Sequence, residues 1–133
     1  ANFWVPSASC TLGCSGNNLF YSNKSSTFRE DGRRWGLIYE DGSYAQGFLG
    51  IDTVTVINIG ESGTKQMKIT EQIFGLATEK GGFVNQTIDG VFGMGFSALA
   101  DHQIPTPISQ AYEQGAIESP MFTVWLQHNV IFL

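Results

Sequence analysis

Leu37-Ile38-Tyr39-Glu40-Asp41-Gly42-Ser43-Tyr44-Ala45-Gln46-Gly47-Phe48-Leu49, followed by Thr53-Val54-Thr55-Val56-Ile57-Asn58-Ile59, sets the fold class of this chain. Leu37 to Tyr39 and Tyr44 to Leu49 are rich in β-branched, aromatic and large apolar residues, and Glu40-Asp41-Gly42 between them carries turn chemistry. Thr53 to Ile59 alternates polar Thr and Asn with Val and Ile, the pattern of a half-buried strand. Outward from this core, Gly60-Glu61-Ser62-Gly63-Thr64-Lys65 reads as a hairpin loop and Met67 to Gly75 as its return strand. Phe122 to Leu126 reads as a further strand. Short strands at this spacing predict all-β sheet packing rather than alternating βαβ units. One helix is predicted: Thr106 caps its start, Pro107 suits the first helical position, Ile108, Ala111 and Tyr112 form an apolar stripe, and Gly115 ends it.

Several segments, in order, resemble the pepsin-like aspartic peptidases. Ala1-Asn2-Phe3-Trp4-Val5-Pro6-Ser7 is similar to the segment that follows the family's catalytic Asp-Thr-Gly-Ser loop. The short-loop pair Cys10 and Cys14 comes next, then Ser25-Ser26-Thr27-Phe28. Ile38 to Ser43 resembles the flap hairpin and runs into Gly47-Phe48-Leu49-Gly50-Ile51-Asp52-Thr53-Val54. Ile73-Phe74-Gly75-Leu76-Ala77 and Ile88-Asp89-Gly90-Val91-Phe92-Gly93-Met94-Gly95 resemble the two strands beneath the active-site loop. The resemblance covers almost the whole chain. It implies an all-β, mainly antiparallel fold with one short helix: residues 1–133 as an incomplete N-terminal lobe of a bilobal peptidase, cathepsin D-like or digestive, without an internal boundary.

Composition is compatible with that fold and narrows the function classes. The 133 residues suit one domain with a sizeable core. Aromatic residues make up 13% and charged residues 14%, a globular rather than a disordered balance. A net charge of -5 with seven Lys and Arg argues against a nucleic-acid partner. No run approaches the roughly 18 apolar residues of a membrane-spanning helix. With neither an initiator Met nor a basic and apolar leader pattern, Ala1 reads as a cut within a longer chain, with any targeting sequence upstream. Cys10 and Cys14 sit in a Ser, Gly and Asn-rich loop, and a disulfide is the better reading. A zinc site would need further ligands, and His102 and His128 lie far off without metal-ligand spacing. Asn23-Lys24-Ser25 and Asn85-Gln86-Thr87 are glycosylation sequons if the chain enters the secretory route.

The chemistry implied by the resemblance needs two carboxylates, one per lobe, that share a proton and activate a water. Each lies in Asp-Thr-Gly or Asp-Ser-Gly, and the sequence contains neither. On this reading there is no catalytic Asp in the chain, and the first would lie just before Ala1. Asp52-Thr53-Val54 falls on a framework strand, and Asp89-Gly90 falls where an Asp bonds backbone. The resemblance implies that Tyr39 covers the cleft and bonds through its hydroxyl to the Trp4 indole, although two ordinary buried aromatics would also seek such partners. Asp41, Gly42 and Ser43 complete the flap tip that meets substrate backbone. Phe83, Ile88 and Val91 match the apolar pocket wall, with ordinary core as the competing role. Gly93-Met94-Gly95-Phe96-Ser97-Ala98 fits a dinucleotide fingerprint, but Asp101 to Pro105 interrupts the long helix that such a site requires. The implied function is therefore acid endopeptidase action on polypeptides, without cofactor or metal, in a secreted or lysosomal setting and with a second lobe of the same protein. The alternative is a catalytically inactive peptide-binding protein of the same fold.

Overall fold

The computed structural model describes residues 2–59, 64–83 and 88–124. Four strands form one sheet: β1 (Trp4–Pro6), β2 (Arg29–Ile38), β3 (Tyr44–Ile59) and β4 (Lys65–Gly81), in the order β1-β4-β3-β2. β3 runs antiparallel to both β2 and β4, while β1 lies parallel to β4 with Trp4 opposite Gly75 and Pro6 opposite Ala77. Among the described residues, one helix, α1 (Pro107–Glu113), and three short 3-10 turns accompany the sheet. This is the all-β class expected from the strand pattern, in the mainly antiparallel form that the resemblance implies.

The two strands predicted at Tyr44–Leu49 and Thr53–Ile59 are one 16-residue strand. Gly50 and Asp52 do not turn the chain. They pair with Phe74 and Gln72, and a bulge between Asp52 and Val54 absorbs the change of pattern. β4 likewise runs past the expected Gly75 to Gly81. Phe122 to Val124 are exposed and outside any strand, which corrects the strand expected at Phe122–Leu126 over its described part. The remainder of that segment, residues 60–63 of the expected hairpin loop, and Asn85 lie outside the described residues.

Two apolar clusters flank the sheet. Trp4, Trp35, Ala45, Leu49, Ala77, Ala100 and Ile104 form the larger, with Leu37, Ile73, Phe83, Ile88 and Val91 packed on it. The backbone at Gly75 makes room for this cluster, since a Cβ there would stand 2.7 Å from the Trp35 ring. At the far end of the β3–β4 hairpin, Met67, Ile69 and Ala111 pack with Val56, Ile108 and Ile117. Thus α1 buries Ala111 and half-buries Ile108 along the expected stripe, but Tyr112 is 47% exposed and does not belong to it. Thr106 is the extended N-cap without a side-chain bond to the helix backbone. Its hydroxyl instead meets that of Ser109, which donates to the Thr106 carbonyl at 2.9 Å. Gln114 then ties the helix end to β4, donating to the Thr70 carbonyl and accepting from its amide.

Candidate functional site

The β2–β3 hairpin turns through Tyr39–Ser43. The Tyr39 amide donates to the Ser43 carbonyl at 2.7 Å, and the Gly42 amide to the Tyr39 carbonyl at 3.0 Å. Gly42 takes φ 82°, a left-handed conformation that costs a residue with a Cβ more. Asp41 closes the tip: one carboxylate oxygen accepts from the Ser43 amide at 2.9 Å and from its hydroxyl at 2.6 Å. These bonds hold the Asp41 carboxyl below the usual carboxylate range. Glu40, Asp41 and Gly42 are exposed, whereas Ser43 is 2% exposed with its hydroxyl occupied. Ser43 therefore braces the tip from inside.

Tyr39 leans back from this tip onto β1. The indole N–H of Trp4 donates to the Tyr39 hydroxyl at 2.8 Å, joining residues 35 positions apart. Trp4 is fully buried and Tyr39 half-buried. Burial raises the Tyr39 pKa, the Trp4 bond lowers it, and the Asp41 charge raises it further. The phenol consequently keeps its proton at neutral and acid pH and remains able to donate while it accepts from Trp4. Phe83 completes the group, edge-on to Tyr39 at 5.9 Å between centroids and tilted against Trp4 at 6.0 Å. Trp35 meets Trp4 at 6.0 Å from another side.

Ile88 and Val91 join the same cluster, half-buried. Val91 is also tied by its backbone, exchanging two hydrogen bonds with Trp4 at 2.9 and 3.0 Å. The sequence-selected residues thus fall into one neighbourhood: Trp4, Tyr39 and Phe83 in ring contact, Ile88 and Val91 beside them, and Asp41, Gly42 and Ser43 on the turn above. Asn23 lies apart, exposed on a 3-10 turn at Ser22–Lys24. Cys10 and Cys14 are bridged. Among the described residues no group of His, Cys, Asp and Glu is arranged to hold a metal.

The two carboxylates of interest outside the turn are held by framework groups. Asp52 is 5% exposed and accepts from the Thr27 hydroxyl and the Thr53 amide. Asp89 accepts from the Asn18 and Asn17 side chains and the Asn18 amide, and these bonds lower its pKa. Residues 97–99 and 101–103 form only 3-10 turns, so no helix follows Gly93-Met94-Gly95 and the dinucleotide reading fails here.

The sequence reading passed over two residues of this neighbourhood. Trp35 is 3% exposed, touches Trp4, and also lines a cavity of about 570 Å³ with Arg34, Gly36, Gln46, Gly47, Phe48 and Thr78. None of the sequence-selected residues lines that cavity. Its position within the strand pattern ahead of Leu37 was the available signal. Lys80 is 3% exposed beside Phe83 and Ile88, and nothing in the sequence marks a lysine there as buried.

A mainly antiparallel sheet, a turn closing through a tyrosine onto a buried tryptophan, and one short helix define an incomplete pepsin-like lobe. Comparison with known proteins agrees with the architecture. The family model for eukaryotic aspartyl protease matches residues 1–130, and the chain belongs to that family. It is 36% identical over 130 residues to Aspartic protease 6 of Caenorhabditis elegans, spanning 97% of this chain and 32% of that protein. It is 34% identical over 132 residues to human gastricsin, spanning 97% of the chain and 32% of gastricsin. With Rhizopuspepsin-2 of Rhizopus niveus it shares 36% identity over 128 residues, 95% of this chain and 31% of that protein. The chain spans about a third of the length of these curated relatives.

Proposed function

We propose that these residues form the flap-bearing, substrate-binding part of an aspartic endopeptidase, cathepsin D-like or digestive, that hydrolyses polypeptides at acid pH. The observation that carries the reading is the Trp4 to Tyr39 bond, which tethers the hairpin to the strand beside the cleft. Family membership supports it independently. In this reading Tyr39 covers the cleft, Asp41 and Gly42 offer polar groups to the substrate backbone, and Ser43 holds Asp41 in place. Phe83, Ile88 and Val91 wall the pocket that takes the side chain before the cleaved bond.

The acid pair comes from parts of the full-length protein beyond this sequence, which has neither Asp-Thr-Gly nor Asp-Ser-Gly. In such a pair like charges a few ångströms apart cannot both ionise, so one carboxyl serves as acid while the other activates water. The role of this chain is then to bind and orient the peptide and to exclude solvent with Tyr39. A second lobe of the same protein supplies the opposite wall. The Cys10–Cys14 bridge fits an oxidising route, and we place the protein in the secretory pathway, secreted or lysosomal, with Asn23 as a glycan acceptor. No helix among the described residues is long and apolar enough to cross a membrane.

Sequencing the transcript on both sides of the present residues tests this reading. Asp-Thr-Gly directly upstream and a second such motif downstream are the expected result. Substitution of the Asp in both would turn the reading to its alternative, a catalytically inactive peptide-binding protein that keeps the flap and pocket.

A further inference from the structure

β4 ends at Glu79-Lys80-Gly81, and Lys80 is buried to 3% exposure in a chain that has only seven Lys and Arg. Burial pushes its ammonium pKa down, partly offset by the Asp89 charge. Burying an ammonium is costly unless its surroundings return hydrogen bonds and opposite charge. The surroundings of Lys80 are specific. Its Nζ donates to the Ile88 carbonyl at 3.0 Å and stands 5.6 Å from the Phe83 ring centroid, within cation–π range.

The same carbonyl accepts a second bond, from Asn17 Nδ2 at 2.7 Å. Asp89, the next residue, accepts from Asn17 Nδ2 at 2.8 Å and from the Asn18 amide at 3.0 Å. Asn17 and Asn18 follow directly on the disulfide loop, and the Asn17 amide donates to the Cys14 carbonyl at 3.2 Å. That loop also grips Lys80 from its backbone side, because the Lys80 amide donates to the Leu12 carbonyl at 3.1 Å. Lys80 therefore links three segments, the stretch beginning at Ile88 through its ammonium and the bridged loop through its backbone amide at the end of β4. Two of the groups it reaches belong to Phe83 and Ile88.

We propose that Lys80, assisted by Asn17, is a positioning residue that fixes Phe83 and Ile88 as one wall and so sets which substrate side chains the apolar pocket admits. The inference rests on the peptidase reading for the identity of that pocket. A cation at the end of a four-carbon stem holds a carbonyl and an aromatic face together, and an apolar side chain of the same length holds neither. The bridged loop acquires a role at a distance, because it anchors both ends of the clamp. Releasing the clamp lets the wall recede and favours bulkier side chains.

The test uses the full-length protein with Lys80→Met, Lys80→Arg and Asn17→Ala. Two peptides are compared that differ only in Leu or Trp before the cleaved bond, and residue-resolved hydrogen exchange is followed at the Val91 and Leu49 amides. For Lys80→Met the expected result is about a tenfold shift of the kcat/KM ratio toward Trp, carried mainly by KM, the size a pocket contact commands. Val91 exchange should rise about tenfold with Leu49 unchanged, since a wall loosened locally leaves the central sheet closed. Lys80→Arg should restore both readouts toward wild type. An unchanged ratio with faster Val91 exchange overturns the proposal, and so does unchanged exchange. If Lys80→Met does not fold, Asn17→Ala must move the ratio in the same direction, and no movement overturns it equally. Absence of turnover by the wild-type protein is a failure of the peptidase reading alone. The two peptides' Kd values then replace kcat/KM, with the same shift required.

Discussion

Replacing Tyr39 by Phe and by Ala separates the two tasks assigned to this residue. The Phe variant keeps the ring and removes only the oxygen that accepts from Trp4 at 2.8 Å. Trp4 is fully buried, so its indole N–H is left without that acceptor. An unsatisfied buried donor costs about 1–3 kcal/mol. The lower part of that range is expected, because Tyr39 itself is half-buried and water can approach from its side. The Ala variant also removes the edge-on contact with Phe83 at 5.9 Å, worth about 0.5–1.5 kcal/mol beyond area burial. With about 1–1.5 kcal/mol for the first, the two contributions add to about 1.5–3 kcal/mol, and loss of the half-buried ring's apolar area brings the Ala variant toward the roughly 3–5 kcal/mol of a buried aromatic. The assay is urea unfolding of the full-length protein followed by tryptophan emission, with peptide turnover measured alongside. In the Phe variant turnover should fall several-fold with the fold intact. In the Ala variant turnover should fall far more than the folded fraction does. Turnover that merely tracks the folded fraction in both variants would return Tyr39 to a packing role and refute the flap assignment.

Three further outcomes follow from the geometry. Gly75→Ala places a Cβ 2.7 Å from the Trp35 ring and should destabilise the protein by about 1–3 kcal/mol in urea unfolding; full retention of stability would mean that Trp35 does not lie over β4. Asp89 has a lowered folded pKa, so its stabilisation is present above the ordinary carboxylate pKa of about 3.9 and is lost as pH falls through the folded value. Asp89→Asn should therefore flatten the acid limb of the stability–pH curve, and an unaltered limb would contradict the Asn17 and Asn18 bonds. Unreduced protein should resist thiol alkylation at Cys10 and Cys14 until a reductant is added, and prompt labelling of both would dispose of the bridge.

Much of the hairpin was readable because its signals are local. Gly42 after two acidic residues marks the turn, and the apolar residues on either side mark its arms. The helix start was readable from Thr106-Pro107 for the same reason, since proline at the first helical position forfeits no bond. The Trp4–Tyr39 pairing came from family resemblance, and no local pattern links residues 35 apart. Gly50 and Asp52 suggested a break that the sheet overrode, because pairing of both with β4, and of Gly50 also with β2, outweighs their weak strand propensity. Tyr112 sits at helical spacing from Ile108 yet is 47% exposed, since β4 covers only the Ile108 and Ala111 side.

Lys80 was hidden for a different reason. Charge predicts exposure, and only the convergence of the Ile88 carbonyl, the Phe83 ring and the disulfide loop makes its burial tolerable. Trp35 lay ahead of the strand expected from Leu37, and its contact with Trp4 was hidden because it depends on the close approach permitted at Gly75.

We propose this chain as the flap and pocket part of an aspartic endopeptidase that takes its catalytic acids from the rest of the full-length protein. Cleavage of denatured globin at acid pH, measured for the full-length protein and for residues 1–133 alone, is the decisive experiment. The full-length protein should cleave globin, with a statine-type inhibitor abolishing turnover at one equivalent, and the 133 residues alone should show none. Inhibitor-sensitive turnover by the isolated 133 residues, or none by the full-length protein, would contradict it.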